Sequence, residues 1–326
     1  MITKRGFLAA TIAASFGQVA SDPGLAQTYP ARAIKIIVPF PAGGASDVMA
    51  RLLADRLSPA LGQTVIVENR PGGAGGSIGA KAVATADPDG YTLLLCPLEV
   101  LTQAPLVYKN IDYEPTSFVP IALLMESANA IVVHPSIPVR TLQELAAYAK
   151  ANPGRIRFGS PGFGTTPHLI GEIFRRITGA EVIHVPYRGS APAINDLLAA
   201  QVQMYMDSLT VLLAHIEAGG LRPLAVASEA ASPYLPDVPT TPASGFPTLQ
   251  TVYRLGLYAP PATPANIVEM LNRSVNDALK SANIQEGLRK LGADAMGGPA
   301  QSFAAFMLAN AKASAEMVAA AGVQPQ

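Results

Sequence analysis

The chain has 326 residues, with 23 Lys plus Arg and 23 Asp plus Glu, so its formal net charge is zero. An apolar content of 49% with no net charge excludes intrinsic disorder, and the balanced charge argues against a nucleic-acid-binding surface. The single cysteine, Cys96, excludes an internal disulfide, an iron–sulfur cluster and a Cys-rich metal site. The length indicates about two domains.

Residues 1–26 predict a cleaved signal peptide. Lys4 and Arg5 form a basic start, residues 6–20 are apolar and alanine-rich, and small residues precede an expected cleavage site near Ala26. The apolar stretch is shorter than the roughly 20 residues of a membrane-spanning helix. We therefore expect an exported mature protein. Sec and twin-arginine export both stay open, and an amphipathic N-terminal helix is the alternative.

The mature chain begins with one α/β unit. β-branched and apolar runs predict buried strands, and apolar residues at helical spacing predict a helix between the first two. In chain order these are a strand at 34–40, a helix at 46–61, a strand at 65–69, a glycine-rich stretch at 71–79, a short helix to 84 and a strand at 91–96. Such alternation predicts a parallel sheet with right-handed crossovers.

A second α/β unit follows. A capping box at residues 141–144 predicts a helix start, and Pro167 suits the first turn of another helix. The predicted strands lie at 156–159, 182–185, 203–206 and 224–227, and the helices at 141–152, 165 onwards and 191–200.

Two extended segments, at 119–133 and 251–258, flank this second unit, and two helices follow, from 263 and from 302. The chain is therefore predicted to cross from one α/β domain to another and return. Domain 1 would comprise residues 27–124 plus 254–326, and domain 2 residues 125–253. A cleft between two lobes joined by two strands is a common place for a small ligand.

Two loops share one design: a strand, then small residues with glycine, then a helix opened by a hydroxyl residue. They span Phe40 to Asp47 and Ser160 to Thr166. Glycine lets the backbone approach a ligand closely, and free amides at a helix N-terminus suit an anion. Both loops follow the carboxyl ends of strands, which favours one shared site. Simple turns and helix caps are the alternative interpretation.

Other motifs in the sequence give weaker indications of a catalytic, cofactor or metal site. Residues 75–79 fit the G-x-S-x-G pattern around Ser77, but a nucleophile elbow needs a strand directly before the serine, and a loop is predicted there. No complete dinucleotide fingerprint or Walker-type motif is present, so no cofactor is expected. The four histidines show no metal-type spacing, so no metal is expected either. His168 beside the second loop is read as a ligand contact or a structural hydrogen bond, and Asp207 as a cleft residue or a cap.

The ordered motifs of the mature chain resemble those of the Bug-type, or TctC-type, extracytoplasmic solute receptors of tripartite tricarboxylate transporters. The resemblance covers nearly the whole mature chain. Its motifs lie at 29–30, 38–47, 67–72, 89–94, 162–169, 184–189, Asp207, 235–240 and 259–264.

This resemblance implies a type II-like periplasmic-binding-protein fold with two α/β domains closing on a carboxylate-type solute. It implies a periplasmic monomer that delivers its solute to membrane permease subunits and is not an enzyme. A signalling receptor and, more remotely, a hydrolase using Ser77 are the alternatives. The expected ligand-binding residues are Phe40, Pro41, Ala42, Gly43, Gly44, Ser46, Asp47, Ser160, Gly162, Phe163, Gly164, Thr165, Thr166, His168 and Asp207.

Two residues depart from the pattern of the family. Glu99 stands where small polar residues are usual, and Arg254 stands where an aromatic residue is common. In the cleft, Glu99 would repel a second ligand carboxylate and favour an amine or hydroxyl, whereas Arg254 would do the opposite. The sequence leaves open which of them faces the ligand.

Overall fold

The computed structural model describes residues 29–326, so the predicted signal peptide lies outside the described residues. Within that range no helix is both long enough and apolar enough to cross a membrane. The chain runs through β1 (Ile34–Val38), α1 (Ala45–Leu61), β2 (Val65–Asn69), α2 (Ser77–Ala84), β3 (Thr92–Pro97), α3 (Glu99–Thr102), α4 (Ala104–Val107) and β4 (Val119–Val133).

The remaining elements complete the two predicted units. They are α5 (Leu142–Ala151), β5 (Ile156–Ser160), α6 (Thr166–Thr178), β6 (Val182–Pro186), α7 (Ser190–Leu198), β7 (Met204–Ser208), α8 (Leu209–Glu217), β8 (Arg222–Val226), β9 (Val252–Ala259), α9 (Ala265–Leu279), α10 (Ala282–Lys290), β10 (Ala293–Ala295) and α11 (Ala300–Ala321).

The first lobe is built on the sheet β2-β1-β3-β9-β4, with β10 also paired to β4. β1 pairs in parallel with β2 and β3, and β9 is antiparallel to both β3 and β4. Met49, Leu53 and Leu57 of α1 lie at helical spacing and are buried in the core of this lobe. The helix ends where Gly62 takes the left-handed conformation, with φ 63°.

The second lobe is built on β8, the end of β4, β7, β5 and β6. β5 pairs in parallel with β6 and β7, and Phe158 and Phe174 are buried in its core. Thr141 caps α5 by accepting a hydrogen bond from the Glu144 amide at 3.1 Å, so the predicted helix start is confirmed, although the Glu144 side chain accepts from the Arg140 amide at 2.6 Å and not from the Thr141 amide of a full capping box.

β4 joins the two lobes. Residues 119–128 pair with β9 in the first sheet, and residues 129–133 pair with β7 in the second, so the predicted extended segment at 119–133 forms one 15-residue strand that both sheets share. The chain returns from β8 to β9, where the Thr251 amide donates to the Ala227 carbonyl at 2.8 Å. The C-terminal end of α11 packs through Val318 into the core of the second lobe. The predicted pair of α/β units is confirmed, and the exact domain boundaries stay a prediction.

Candidate ligand-binding site

A cavity of about 50 Å³ lies between the lobes. Its walls come from the segments that follow β1, β5 and β6, from the end of β3 and the start of α3, from the end of β7 and from the start of β9. Carboxyl ends of parallel strands and the helix N-termini after them are where α/β proteins bind ligands. The cavity is lined by Phe40, Pro41, Ala42, Gly44, Ala45, Ser46, Asp47, Pro97, Glu99, Pro161, Pro167, Gly189, Ser190, Ala191, Pro192, Asp207 and Tyr253.

The N-terminus of α1 forms one wall. Gly44 precedes the helix in an extended conformation, and no side chain caps the first turn. Within residues 29–326, the amides of Ala45, Ser46 and Asp47 make no hydrogen bond. The Ser46 hydroxyl lies 3.3 Å from the Tyr253 hydroxyl, and both residues line the cavity. This wall therefore offers unengaged donors at the positive end of a 17-residue helix.

The negative charge of Asp47 in the same turn is balanced by an ion pair within the helix. Its carboxylate forms an ion pair with Arg51 at 2.9 Å and accepts a hydrogen bond from the Gly43 amide at 3.0 Å. Burial pushes its pKa up, but the hydrogen bonds from Arg51 and Gly43 outweigh burial and the pKa is lowered. Asp47 therefore stays ionised and balanced by Arg51, and it leaves the preceding amides available.

The opposing wall is the N-terminus of α7. Gly189, with φ 110°, precedes the helix, and its amide donates to the Pro161 carbonyl at 2.8 Å. A Cβ on Gly189 would lie 3.2 Å from Cδ of Pro41, so glycine permits the close approach of the two lobes. Ser190 and Ala191 follow, and neither amide makes a hydrogen bond within the described range.

Asp207 closes the second-lobe side of the cavity at the end of β7. Its carboxylate accepts hydrogen bonds from the Ser190 hydroxyl at 2.7 Å, the Tyr205 hydroxyl at 2.8 Å and the Ser208 amide at 2.8 Å. Burial raises the pKa of Asp207. This network holds Ser190 and the start of α7 in place against the cleft.

Glu99 reaches across the cleft from the first lobe. It opens α3 directly after β3, and its Oε2 atom accepts hydrogen bonds from the Thr166 amide at 3.0 Å and from the Thr166 hydroxyl. Gln103 Nε2 lies 3.1 Å from the same hydroxyl. Burial raises the pKa of Glu99, and the charge of Asp207 raises it further. The first amide of α6 is therefore engaged by a carboxylate of the chain itself.

Three amides of the loop before α6 donate to neighbouring groups of the same loop and helix. The Gly162 amide donates to Ser160 Oγ at 3.3 Å, the Gly164 amide to His168 Nδ1 at 3.0 Å, and the Thr165 amide to the Gly162 carbonyl at 3.4 Å. The Thr165 hydroxyl donates to the same carbonyl at 2.7 Å. These donors hold the loop together and are not directed to the cavity.

The predicted site residues therefore fall into two groups. Those of the first loop, together with Asp207, line the interlobe cavity: Phe40, Pro41, Ala42, Gly44, Ser46, Asp47 and Asp207. The others do not line it: Gly43, Ser160, Gly162, Phe163, Gly164, Thr165, Thr166 and His168. Gly162, Phe163 and Thr165 line a neighbouring cavity of about 750 Å³, and Thr166 another of about 360 Å³.

His168 and His184 lie behind the second loop. Their rings pack against each other with centroids 4.1 Å apart and an interplanar angle of 32°, and His184 Nε2 lies 2.7 Å from Ser160 Oγ. Burial lowers the pKa of His168 to about 3, helped by the nearby His184, and burial lowers that of His184 to about 4. Both rings are therefore neutral near pH 7 and support the loop. Among residues 29–326, no cluster of His, Cys, Asp or Glu suits a metal ion.

Sequence reasoning missed several cavity residues. Gly189, Ser190 and Ala191 follow β6 with the same strand, glycine and hydroxyl pattern as the two loops, so the signal was present. Tyr253 carried no comparable signal. The structure also separates the two unusual residues: Glu99 lines the cavity, whereas Arg254 lies outside it, paired with Glu126 at 3.1 Å.

Comparisons with known proteins match the chain to a protein family and to solved structures. The family model TctC, described as the tripartite tricarboxylate transporter family receptor, matches residues 49–323. The protein BugT of Bordetella pertussis (strain Tohama I) is 40% identical over 277 residues, which cover 83% of each chain.

Two solved structures are similar over most of the chain. The periplasmic binding protein BugD has a TM-score of 0.86 at 38% identity, covering 91% of this chain and 100% of its own. Rpa4515 of R. palustris, solved with adipate, has a TM-score of 0.87 at 35% identity, with the same coverage. These matches confirm the predicted resemblance and the two-lobed periplasmic-binding-protein fold.

Proposed function

The chain belongs to the TctC family of tripartite tricarboxylate transporter receptors, as a Bug-type member, and we propose that it captures a small organic carboxylate in the periplasm and delivers it to transporter permease subunits. It is a solute-binding receptor and not an enzyme, as are its family and its structural neighbours. The proposal adds three things to that membership: the class of ligand, the atoms that hold it and the partner that receives it.

The unengaged amides at the start of α1 carry the proposal. Ala45 and Ser46 line the interlobe cavity, and their amides have no hydrogen-bond partner within residues 29–326. A helix N-terminus with free amides and a net dipole stabilises an anion without a basic side chain. A ligand carboxylate bound there would also accept a hydrogen bond from the Ser46 hydroxyl. This accounts for anion binding in a cavity that no Lys, Arg or His of the described range lines.

Closure of the lobes supplies the signal to the permease. Ser190 and Ala191 at the start of α7 lie across the cavity from α1, and Gly189 lies against Pro41 of the first lobe. A ligand that contacts both walls favours the closed arrangement by its differential affinity for it. A permease that recognises the closed surface would then distinguish loaded from empty receptor.

Ligand binding is tested with the mature chain by thermal shift, followed by calorimetry. The panel holds mono-, di- and tricarboxylates, amino acids, aromatic acids and neutral alcohols of matched length. We expect stabilisation by acids only; at about 100 times Kd a ligand adds about 2.7 kcal/mol of stability. Stabilisation by neutral compounds alone, or by none of the acids, would contradict the carboxylate assignment.

Delivery is tested separately. Membrane vesicles that contain the permease subunits are expected to take up the tightest-binding acid only when the loaded mature chain is added. Uptake that is independent of the receptor would contradict the transport role while leaving ligand binding intact.

A further inference from the structure

The two helix N-termini that the sequence predicts as anion sites differ in one respect. At α1 the first-turn amides are unengaged, whereas at α6 the first amide, that of Thr166, donates to Glu99 at 3.0 Å. Pro167 follows Thr166 and has no amide hydrogen. The N-terminus of this 13-residue helix therefore already holds a carboxylate that belongs to the chain.

Glu99 is not a capping residue of its own helix or lobe. It belongs to α3, which follows β3 of the first lobe, and its partner Thr166 opens a helix of the second lobe. Its carboxylate therefore spans the cleft and occupies the position in which a ligand carboxylate would meet the second lobe. The related structure that holds adipate, a dicarboxylate, belongs to the same fold.

We propose that Glu99 is a specificity-determining residue: it acts as a built-in second carboxylate, so that the cleft selects a monocarboxylate whose far end carries a hydroxyl or an amine. This inference rests on the proposed function, because it takes the ligand carboxylate to bind at α1. Adipate and other dicarboxylates would then be disfavoured ligands of this chain.

The charges around the cavity support this selection. Asp47 is balanced by Arg51, but neither Glu99 nor Asp207 forms an ion pair with a cation of the described residues. Arg254 and Glu99 both line the neighbouring cavity of about 360 Å³, but the Arg254 guanidinium pairs with Glu126 and lies over the Phe306 ring at 5.0 Å, and Arg254 does not line the interlobe cavity. A second ligand carboxylate would therefore enter a buried space that already holds two unbalanced acidic groups.

Glu99 also offers an acceptor to the ligand. Its Oε2 atom is engaged by Thr166, but Oε1 accepts no hydrogen bond from any residue in the range 29–326. A carboxylate oxygen without a donor in a partly buried site is stabilised by a hydroxyl or an ammonium group. The far end of the ligand is therefore expected to carry one of these donors.

The test compares acids of equal length by calorimetry. One set is adipate, 6-hydroxyhexanoate, 6-aminohexanoate and hexanoate, and the second is the corresponding four-carbon set with succinate. For the mature chain, we expect at least one ω-hydroxy or ω-amino acid to bind at least tenfold more tightly than the dicarboxylate of the same length. Equal or tighter binding of the dicarboxylate would overturn the selective role of Glu99 but leave the proposed function standing. If no carboxylate of any kind binds, the proposed function is overturned as well.

The substitution Glu99→Gln removes the charge and keeps the shape and an acceptor for Thr166. We expect the affinity for the dicarboxylate, divided by the affinity for the ω-hydroxy acid of the same length, to rise at least tenfold in this variant. Glu217→Gln is the matched control, because Glu217 is exposed on α8 and makes no side-chain hydrogen bond within the described residues. Glu99→Ser is measured alongside, in case the Gln variant folds poorly. An unchanged ratio in a folded variant would overturn the proposal.

Discussion

The N-termini of α1 and α6 follow the same sequence pattern but present different chemistry. Each comes after a strand and a glycine-containing loop, and each has a hydroxyl residue in or before its first turn. At α1 the acid within the turn, Asp47, folds back onto Gly43 and Arg51, and the amides of Ala45 and Ser46 stay free. At α6 the Gly164 amide and the Thr165 hydroxyl bond within the loop and the first turn, and the Thr166 amide donates to Glu99.

This difference shows that a helix N-terminus indicates only a capacity to bind an anion. Whether that capacity is available to a ligand depends on the side chains that fold against it, including those distant in sequence. Glu99 and Thr166 are 67 residues apart. The first lobe therefore supplies both the free anion site, at α1, and the group that fills the second one.

The largest effect is expected from Ala45→Pro. Proline at the first helical position removes the amide hydrogen but fits the helix, and Gly44 before it is already extended, with ψ 170°. A lost hydrogen bond to a charged group costs about 1.5–3 kcal/mol, so carboxylate affinity should fall by about tenfold to a hundredfold. Calorimetry with the tightest-binding acid, on the unsubstituted chain and on the variant, measures this loss of affinity.

The matched control is Ala282→Pro, at the first position of α10, after Ser281 with ψ 138°. It introduces the same substitution on a helix that does not line the cavity. Equal affinity losses in both variants would show that proline acts through global stability and not through the amide at α1.

A smaller effect separates the hydroxyls of the two loops. Ser46→Ala should weaken carboxylate binding by about threefold to tenfold, because the Ser46 hydroxyl lies in the cavity wall. Thr165→Ala should change affinity by less, since the Thr165 hydroxyl donates to the Gly162 carbonyl. A greater loss in Thr165→Ala than in Ser46→Ala, in folded proteins, would place the carboxylate at α6.

The smallest effect concerns stability and pH near α6. The folded pKa values of His168 and His184, about 3 and about 4, lie below the ordinary value of 6.5, so the unfolded chain binds more protons between these limits. Their contribution to stability is fully present above pH 6.5 and is lost as the pH falls towards 4. The melting temperature should therefore decrease as the pH is lowered from 7.5 to 4.5. In the His168→Asn variant, the melting temperature should decrease less steeply over the same range. An unchanged slope in this variant would contradict the assigned neutral state.

Much of the fold could be predicted from local pattern. The β-branched runs and the capping residue Thr141 act within a few residues of chain, so the strands and the start of α5 were predictable. The capacity of the α1 N-terminus to bind an anion was predictable as well, because the loop from Phe40 to Asp47 carries its own signal, but the pattern did not show that its amides stay free. The extended segment at 119–133 was predicted too, but the residue at which β4 passes from one sheet to the other was not, since it depends on pairing with β9 and β7.

Which of Glu99 and Arg254 lines the interlobe cavity could not be predicted from the sequence. α3 has only four residues, so an apolar periodicity could not predict this helix. The direction of the Glu99 side chain depends on how the two lobes meet. Tyr253 likewise reaches the cavity only because β9 lies beside β3 and β4. Contacts between distant segments therefore decide which residues of the two loops a ligand can reach.

A crystal structure of the mature chain with the tightest-binding acid of the panel tests the central claim most directly. We predict a ligand carboxylate oxygen within about 3.2 Å of the Ala45 or Ser46 amide nitrogen, with Glu99 still bound to the Thr166 amide. A ligand carboxylate on the Thr166 amide, with Glu99 displaced and the α1 amides unengaged, would contradict it.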